Sequence, residues 1–257
     1  MKILVVNDDG FDAKGIRVLA KAMSQIGEVV VVSPATQQTA QGFAQTITKT
    51  IKVQKTDIDG IPAYKIWGTP RDCTNLGGAF FLKDVDVVVS GINEGCNLSN
   101  DISCSGTIGA ASYGLEHHVP CVAVSLEVGK VMDYEYAGEV AKELVPWFMK
   151  QSFNKDFLLS INVPAIDSKQ IKGYQVAGFG GLHSYGDEFK ESFDGEFYYY
   201  DSVSLPVSTL EYKEDLEGDI YAISQGYIVI SPLDIDLTSY PNMKVLNDSD
   251  LKDHMVK

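Results

Sequence analysis

The sequence predicts an α/β protein in which a mostly parallel β-sheet is layered between helices. Short apolar runs that are continuous rather than alternating recur through the first half of the chain. Such runs are typical of strands buried on both faces of a parallel sheet. Helical patterns separate them, and strand–helix–strand alternation is characteristic of this fold class. After about residue 170 the chain becomes rich in turn signals and aromatic residues, which indicates a β-rich extension.

The first half contains four predicted strands, with a helix between the first two. Ile16, Leu19, Ala20 and Met23 fall on one face of that helix, and Gly27 stands where a C-terminal cap is expected. Right-handed crossovers between parallel strands then distribute the helices over both faces of the sheet. The predicted strands are Ile3 to Val6, Val29 to Val32, Val85 to Val89 and Val119 to Val124.

A longer helix is predicted from Tyr134 to Lys150. Asp133 can cap its first turn and Lys150 suits its C-terminal end. A further buried strand is predicted from Phe157 to Val163. The inner face of the helix is expected to consist of Ala137, Val140, Ala141, Leu144 and Trp147.

The chain divides into a core, residues 1–170, and a β-rich extension, residues 171–257, that is expected to return to the core. The Gly178–Gly181 segment and Asp194-Gly195 are turn signals in the extension. Phe197 to Tyr200 and Tyr227 to Ile230 are its strand candidates. The polar tail after Tyr240 is expected to pack loosely.

Composition excludes several classes of protein. A net charge of −14 and a pI near 4.6 argue against coating a nucleic-acid polymer, which requires a basic surface. No apolar run approaches the ~20 residues that a membrane span needs, so no membrane partner is expected. The four cysteines form no CxxC motif and no zinc spacing. They are expected to be small buried residues in a protein of the thiol-keeping cytoplasm.

Polar side chains follow three of the predicted strands. Asn7-Asp8-Asp9-Gly10 follows the first, a loop through Gln37, Gln38 and Thr39 follows the second, and Ser90 to Asn97 follows the third. Ligands of parallel sheets bind at the carboxyl ends of the strands, so these loops are expected to meet. The atoms that could ligate a metal in these loops are all oxygens, which suits Mg²⁺ or Mn²⁺. A bound cation would also relieve the repulsion between Asp8 and Asp9.

A candidate phosphate site is Ser105-Gly106-Thr107, at the start of a predicted helix of small residues. Backbone N–H groups at a helix N-terminus, with hydroxyls beside them, can bind an anion, and Gly106 permits a close approach. The glycines at 10 and 15 have the spacing of a P-loop, but Ile16 stands where that motif needs Lys. GxGxxG is absent from the sequence, so dinucleotide binding is not supported.

Taken in order, these motifs resemble the survival protein SurE family of nucleotidases. The resemblance rests on four motifs in the first 125 residues and is supported by Ile161-Asn162-Val163-Pro164 and a late motif from Gln225 to Thr238. Any single motif is weak, whereas the ordered set is specific. The four motifs are Asn7-Asp8-Asp9-Gly10, Gly68-Thr69-Pro70 with Asp72-Cys73, Ser90-Gly91-Ile92-Asn93 with Gly95 and Asn97, and Ser105-Gly106-Thr107.

The resemblance implies a Rossmann-like core with a C-terminal β-rich extension that takes part in forming a homodimer or homotetramer. It implies a phosphatase with one divalent cation per subunit, 5′- and 3′-nucleotidase activity on nucleoside monophosphates and sometimes exopolyphosphatase activity. Carried over by position, the metal ligands are Asp8, Asp9, Thr39 and Asn93. The family usually has Ser-Gly where this chain has Thr39-Ala40, and Asp234 replaces a His that is common in the late motif.

The mechanism expected from this resemblance assigns a role to each motif. The cation activates a water that attacks phosphorus, with Asp8 or Asp9 as candidate proton acceptor. The phosphate is oriented by Asn97, Ser105, Gly106 and Thr107.

Two alternatives remain at this point. The chain could bind nucleotides without turnover, which only the Thr39-Ala40 departure suggests. The opening run to Asp8-Asp9 also resembles a Mg²⁺-binding receiver domain. However, a receiver needs an acceptor Asp after its third strand, where this chain has Ser90-Gly91, and the chain is about twice too long.

Overall fold

The structure, a computed structural model, describes residues 1–184, 189–202 and 208–249. Its strands are β1 (Lys2–Val6), β2 (Glu28–Pro34), β3 (Lys52–Ile58), β4 (Ile61–Trp67), β5 (Val87–Glu94), β6 (Cys121–Leu126), β7 (Leu158–Val163), β8 (Tyr174–Val176), β9 (Gly181–Ser184), β10 (Phe189–Phe193), β11 (Tyr198–Ser202), β12 (Ser208–Tyr212) and β13 (Ile228–Leu233). Its helices are α1 (Lys14–Ser24), α2 (Pro70–Leu76), α3 (Gly106–Leu115), α4 (Tyr134–Lys150), α5 (Asp219–Ser224) and α6 (Tyr240–Asn247).

Nine strands form the main sheet in the order β3-β4-β2-β1-β5-β6-β7-β13-β8. The strands from β4 to β7 in this order are parallel to one another. At one edge β3 is antiparallel to β4, and near the other β13 is antiparallel to β7. The chain moves from β1 to one side through β2 and later returns to β1's other side at β5. This change of direction is where α/β sheets bind their ligands.

Helices cover both faces of the sheet, so the predicted fold class is confirmed. One core cluster contains buried side chains of α1 and α4, such as Leu19 and Phe148. The other contains side chains of α2 and α3, such as Cys73 and Ile108. In the central strands alternate residues enter opposite clusters, as with Val5 and Val6 of β1. The continuous apolar runs follow from burial on both sides.

The predicted elements of the first half are present, with small shifts at their ends. Helix α4 spans the predicted residues, and the Asp133 side chain accepts a hydrogen bond from the Tyr136 N–H at 3.0 Å. The prediction for Trp147 is wrong, because this side chain is 46% exposed. Phe148 is buried in its place, since it lies four residues after Leu144 on the same helical face.

The prediction that Gly27 caps α1 is also wrong. The helix ends at Ser24 with Gln25 as its C-cap. A Cβ on Gly27 would lie 2.3 Å from the Met1 carbonyl oxygen, so glycine allows the chain to pass close to the start of β1.

The segment after residue 170 is partly integrated into the main sheet through β8 and β13, which pair with each other in parallel. The two strand candidates overlap β11 and β13, each of which begins one residue later than predicted. Outside the main sheet, β10 pairs with β11 and β9 with β12. The boundary at residue 170 stays a prediction. Every residue of α6 is exposed, and the rest of the predicted tail, residues 250–257, lies outside the described residues.

A buried carboxylate connects this C-terminal segment to the core. Asp219, at the start of α5, accepts hydrogen bonds from the Ser99 N–H at 2.6 Å and the Ser99 hydroxyl at 2.5 Å. It also accepts the N–H groups of Gly180 at 3.0 Å and Ile220 at 2.8 Å. We call this arrangement the Asp219 clasp.

The cysteines were expected to be buried, and three of the four are at least partly so. Cys73 and Cys121 are buried and Cys96 is half-buried, but Cys104 is exposed, so the prediction of buried cysteines is wrong for that residue. All four are free thiols.

Within the described part of the chain, no helix has the length and apolar character needed to cross a bilayer.

Candidate metal and phosphate site

A cavity of about 770 Å³ opens at the carboxyl ends of β1 and β5. The four residues carried over as metal ligands, Asp8, Asp9, Thr39 and Asn93, all contribute to its wall. They come from the loops after β1 and β2 and from the end of β5, as expected for neighbouring parallel strands.

Asp8 is held beneath this cavity with only 3% of its surface exposed. The Thr107 hydroxyl donates a hydrogen bond to Asp8 Oδ1. Burial raises the pKa of Asp8 to about 6, and the charge of Asp9 acts in the same direction, whereas the Thr107 hydrogen bond opposes the rise. A carboxylate that burial makes costly to ionise is one that a bound cation would stabilise.

Asp9 is held by the end of β5. The Glu94 N–H donates to Asp9 Oδ2 at 3.0 Å, and the Tyr134 hydroxyl donates to Glu94 Oε2 at 3.0 Å. Burial raises the pKa of Asp9, with a further contribution from the Glu94 charge. Helix α4 therefore contributes, through Tyr134, to the placement of the second carboxylate.

The loop that carries Thr39 is fixed against β1 by its backbone. The Gln38 N–H donates to the Asp8 carbonyl at 2.7 Å. Gly10 has φ +96°, and a Cβ there would lie 3.0 Å from the Gln37 nitrogen, so the two loops approach closely only with glycine at this position. Ala40 has φ +59°, a left-handed conformation that glycine adopts more readily. Thr39 itself is exposed to solvent.

Asn93 is the fourth of the predicted metal ligands. Its Nδ2 donates to the Gly95 carbonyl at 2.8 Å, which leaves the amide oxygen as the end that can ligate a cation. In the parts of the chain that the structure describes, no group of three His, Cys, Asp or Glu side chains could hold a metal ion. The ligand set carried over from the resemblance would hold a cation with two carboxylates and the neutral oxygens of Thr39 and Asn93. This all-oxygen set fits Mg²⁺ or Mn²⁺ better than zinc.

The residues predicted to bind phosphate divide into two pairs. Ser105 and Asn97 contribute to the cavity wall. Ser105 is the N-cap of α3 and accepts the Ile108 N–H at 3.2 Å. Asn97 is held by Asn162, whose Oδ1 accepts the Asn97 N–H at 2.8 Å.

Gly106 and Thr107 instead support Asp8. A Cβ on Gly106 would lie 2.7 Å from both the Cβ and Oδ2 of Asp8, and Thr107 is fully buried with its hydroxyl on the same carboxylate. The phosphate-binding roles of all four residues stay predictions.

Several cavity residues were not predicted as site residues. Three are carboxylates, Glu94, Asp101 and Glu127, of which Glu94 stands beside Asn93 in a loop already expected to reach the site. The others include Ile220, Ile223 and Ser224 of α5. No motif within α5 itself indicates a site, although the late motif begins directly after it, and the position of α5 follows from the pairing of β13 with β7.

The Gly68-Thr69-Pro70 motif has a structural explanation. Thr69 caps α2, with its hydroxyl accepting the Asp72 N–H at 3.2 Å, and the Asp72 side chain accepts the Thr69 N–H at 2.9 Å. Asp72 also accepts the Thr46 hydroxyl at 2.7 Å and thereby holds the loop after Thr39. Arg71 pairs with Glu116 in α3's C-terminal region.

A second cavity, of about 350 Å³, lies between α2, the end of α3 and the start of β5. Its wall is mainly apolar and includes the single carboxylate Asp84. The larger cavity is the better candidate for a functional site because the predicted metal ligands Asp8, Asp9, Thr39 and Asn93 all line it.

Comparison with known proteins agrees with this geometry. The family model "Survival protein SurE" matches residues 3–185. The chain is 37% identical over 255 residues to a Clostridium botulinum protein named 5′-nucleotidase SurE, covering 96% of this chain and 98% of that protein. It is 36% identical to a Haemophilus influenzae protein of the same name, covering 96% and 97%.

A solved structure extends the comparison to the fold. The crystal structure of the SurE protein from Aquifex aeolicus superposes with a TM-score of 0.79 at 32% identity, covering 96% of this chain and 98% of that one. The match to the family model, residues 3–185, includes the Asp8-Asp9 pair and the start of α3. On the family match, the identities and the shared fold, this chain belongs to the survival protein SurE family.

Proposed function

We propose that this protein is a metal-dependent 5′-nucleotidase that hydrolyses nucleoside monophosphates to nucleoside and phosphate. The observation that carries the proposal is the single cavity shared by Asp8, Asp9, Thr39, Asn93 and the two predicted phosphate-binding residues at its wall. Relatives named 5′-nucleotidase SurE, matched over almost the whole chain, support the same reaction class.

One divalent cation per subunit, Mg²⁺ or Mn²⁺, would be held by Asp8, Asp9, Thr39 and Asn93. When bound, such a cation supplies positive charge next to the phosphoryl group and makes a nearby water more acidic. This local charge also explains how a protein of net charge −14 can accept an anionic substrate.

The chain's own side chains orient the reacting groups. Thr107 fixes the Asp8 carboxylate through its hydroxyl, and the Glu94 N–H fixes Asp9. In this proposal Ser105 and Asn97, which line the cavity, donate hydrogen bonds to phosphoryl oxygens. Asp8 or Asp9 accepts the proton of the attacking water.

We also propose that the protein has 3′-nucleotidase and exopolyphosphatase activity and assembles as a homodimer or homotetramer. In this proposal it has no nucleic-acid or membrane partner and is cytoplasmic, as the cysteine pattern suggests.

The test is phosphate release from AMP and GMP with Mg²⁺ or Mn²⁺. We expect Asp8→Asn and Asp9→Asn to lose at least about 100-fold in kcat/KM, since each removes charge from the proposed metal site. Asp12→Asn is the matched control, because Asp12 lies in the same loop but is exposed and pairs weakly with Arg17 and Lys65 at 3.9 and 3.7 Å.

Equal activity of wild type and both site variants would exclude this metal site. Binding of AMP by calorimetry without any phosphate release would favour the alternative of a nucleotide-binding protein without turnover.

A further inference from the structure

The wall of the main cavity combines the carboxylates and amides described above with apolar side chains. Three of the apolar residues, Leu98, Ile220 and Ile223, belong to one separate small core cluster. Val128, at the rim, is 64% exposed. A cation and a phosphoryl group gain nothing from contact with apolar side chains, so these residues are available to another portion of a ligand.

Ile220 and Ile223 project from α5, a helix of the C-terminal segment, more than 120 residues after Asn93. The Asp219 clasp holds this helix to Ser99, the residue after Leu98. Ser99 in turn accepts the Gly180 N–H at 3.0 Å, so three separate parts of the chain are joined at one buried point. The apolar wall is thereby fixed relative to the loop that carries Asn97.

We propose that Ile220 and Ile223 form the surface on which the nucleoside part of the substrate packs, so that α5 selects nucleoside phosphates over phosphomonoesters that lack a base. This inference rests on the proposed nucleotidase function. A nucleobase has flat apolar faces that gain from such a surface, whereas a polyphosphate chain or a bare sugar phosphate offers none.

The size of the cavity agrees with this assignment. Its volume of about 770 Å³ lies in the range of ~300–1,000 Å³ that is typical of sites for small organic ligands and cofactors. Such sites combine apolar walls with a few precisely positioned polar groups. The main cavity has the same combination of apolar and polar lining residues.

The experiment compares kcat/KM for AMP with kcat/KM for ribose 5-phosphate, using the full-length chain and the same cation. Both substrates present the same phosphoryl group, so their ratio reports contacts to the base. For wild type we expect a ratio well above one. For Ile220→Ala and Ile223→Ala we expect the ratio to fall about tenfold, because hydrophobic contacts of this size discriminate by such factors.

Val229→Ala is the matched control. Val229 is fully buried in the same small cluster, but it does not contribute to the cavity wall. It should leave the ratio within twofold of wild type although it also removes core volume. Adenosine binding, measured by calorimetry, should weaken in the Ile220 and Ile223 variants and not in the control, and this readout needs no turnover.

A wild-type ratio near one, or a ratio that the two Ile variants leave within twofold of wild type, would overturn the inference. If the Ala variants fail to fold, Ile220→Val and Ile223→Val should shift the ratio in the same direction by a smaller factor, and no shift would contradict the inference. Failure of the wild type to release phosphate from either substrate would instead reject the proposed function.

Discussion

At the scale of single residues, the site depends on a carboxylate that folding places where it is costly to ionise. Asp8 is almost fully buried next to Asp9, and hydrogen bonds from the Thr107 side chain and from the backbone offset only part of the loss of water. In the absence of a cation the folded state therefore holds a proton on Asp8 more tightly than the unfolded chain does. Functional sites commonly contain such locally unfavourable groups.

The pKa of Asp8 predicts how the stability of the metal-free protein depends on pH. Its pKa is about 6 in the folded state, whereas the usual pKa of an Asp side chain is 3.8. Because the folded state holds this proton more tightly, the Asp8 contribution is fully present below pH 3.8 and is lost as pH rises to about 6. The loss amounts to at most about 3 kcal/mol.

Urea unfolding in the presence of a chelator can isolate this contribution. We expect Asp8→Asn to be more stable than wild type by ~1–3 kcal/mol at pH 7 and to lose this advantage below pH 4. A difference between the two proteins that does not change with pH would contradict the assignment. Excess Mn²⁺ should reverse the order at pH 7, because only the wild type gains from binding it.

Gly106 provides a second prediction at this scale. A Cβ at this position would lie 2.7 Å from Asp8, so Gly106→Ala should displace that carboxylate. We expect a loss of roughly 1–3 kcal/mol in the free energy of unfolding and a marked fall in Mn²⁺ affinity, measured by calorimetry.

Gly78→Ala is the control for this substitution. A Cβ on Gly78 meets nothing within 4 Å, so this variant should retain both stability and metal affinity. Unchanged metal affinity in Gly106→Ala would show that Asp8 tolerates displacement.

At the scale of elements, the Asp219 clasp determines where α5 lies. All four groups that contact Asp219 are donors, so they require an acceptor-only side chain. Asp219→Asn places an NH₂ group against at least one of these donors. We expect a loss of about 1–3 kcal/mol in the free energy of unfolding and a higher KM for AMP.

Asp234→Asn is the matched control for the clasp. Asp234 is exposed and accepts one described backbone hydrogen bond, from the Asp236 N–H at 3.0 Å. It should change stability by less than about 0.5 kcal/mol. If the Asp219 variant unfolds at the same urea concentration as wild type, the clasp does not hold the C-terminal segment.

At the scale of the whole molecule, β10 and β11 carry exposed aromatic side chains, and we expect another subunit of the proposed homodimer or homotetramer to cover them. Phe193 and Tyr198 are 55% and 62% exposed, with ring centroids 4.6 Å apart. We expect sedimentation to give two or four times the 28.1 kDa chain mass. Phe193→Ser with Tyr198→Ser should shift the population towards monomer, because apolar area drives such association.

The control for this surface is Phe80→Ser, which removes a 71%-exposed aromatic side chain in the segment after α2. It should leave the mass unchanged. A monomeric wild type would contradict the expected homodimer or homotetramer.

Much of the core was predictable because each local signal has a direct physical cause. Continuous apolar runs predict strands covered on both faces, and the Asp133 cap with its apolar spacing predicts α4. Trp147 shows the limit of such reasoning. Spacing alone could not decide between Trp147 and Phe148, since adjacent residues compete for the same side of the helix and the packing partners settle which is buried.

For the site, the residue types and their place after strands were already informative in the sequence. Asp8, Asp9, Thr39 and Asn93 could be named there, the last two through the family resemblance, and the structure brings all four to one cavity. The support that Gly106 and Thr107 provide to Asp8 could not be read in this way, because it depends on where α3 begins relative to β1.

Local patterns in the chain thus carry the fold class, the central strands and helices, and the chemistry of the oxygen-rich loops, because burial periodicity and ligand preference act over a few residues. Only the tertiary structure brings Ile220 and Ile223 to the wall of the same cavity as Asp8 and Asp9, and only it joins Asp219 to Ser99. Asp219 and Ser99 are 120 residues apart in the chain, and no short-range signal in either segment encodes the other.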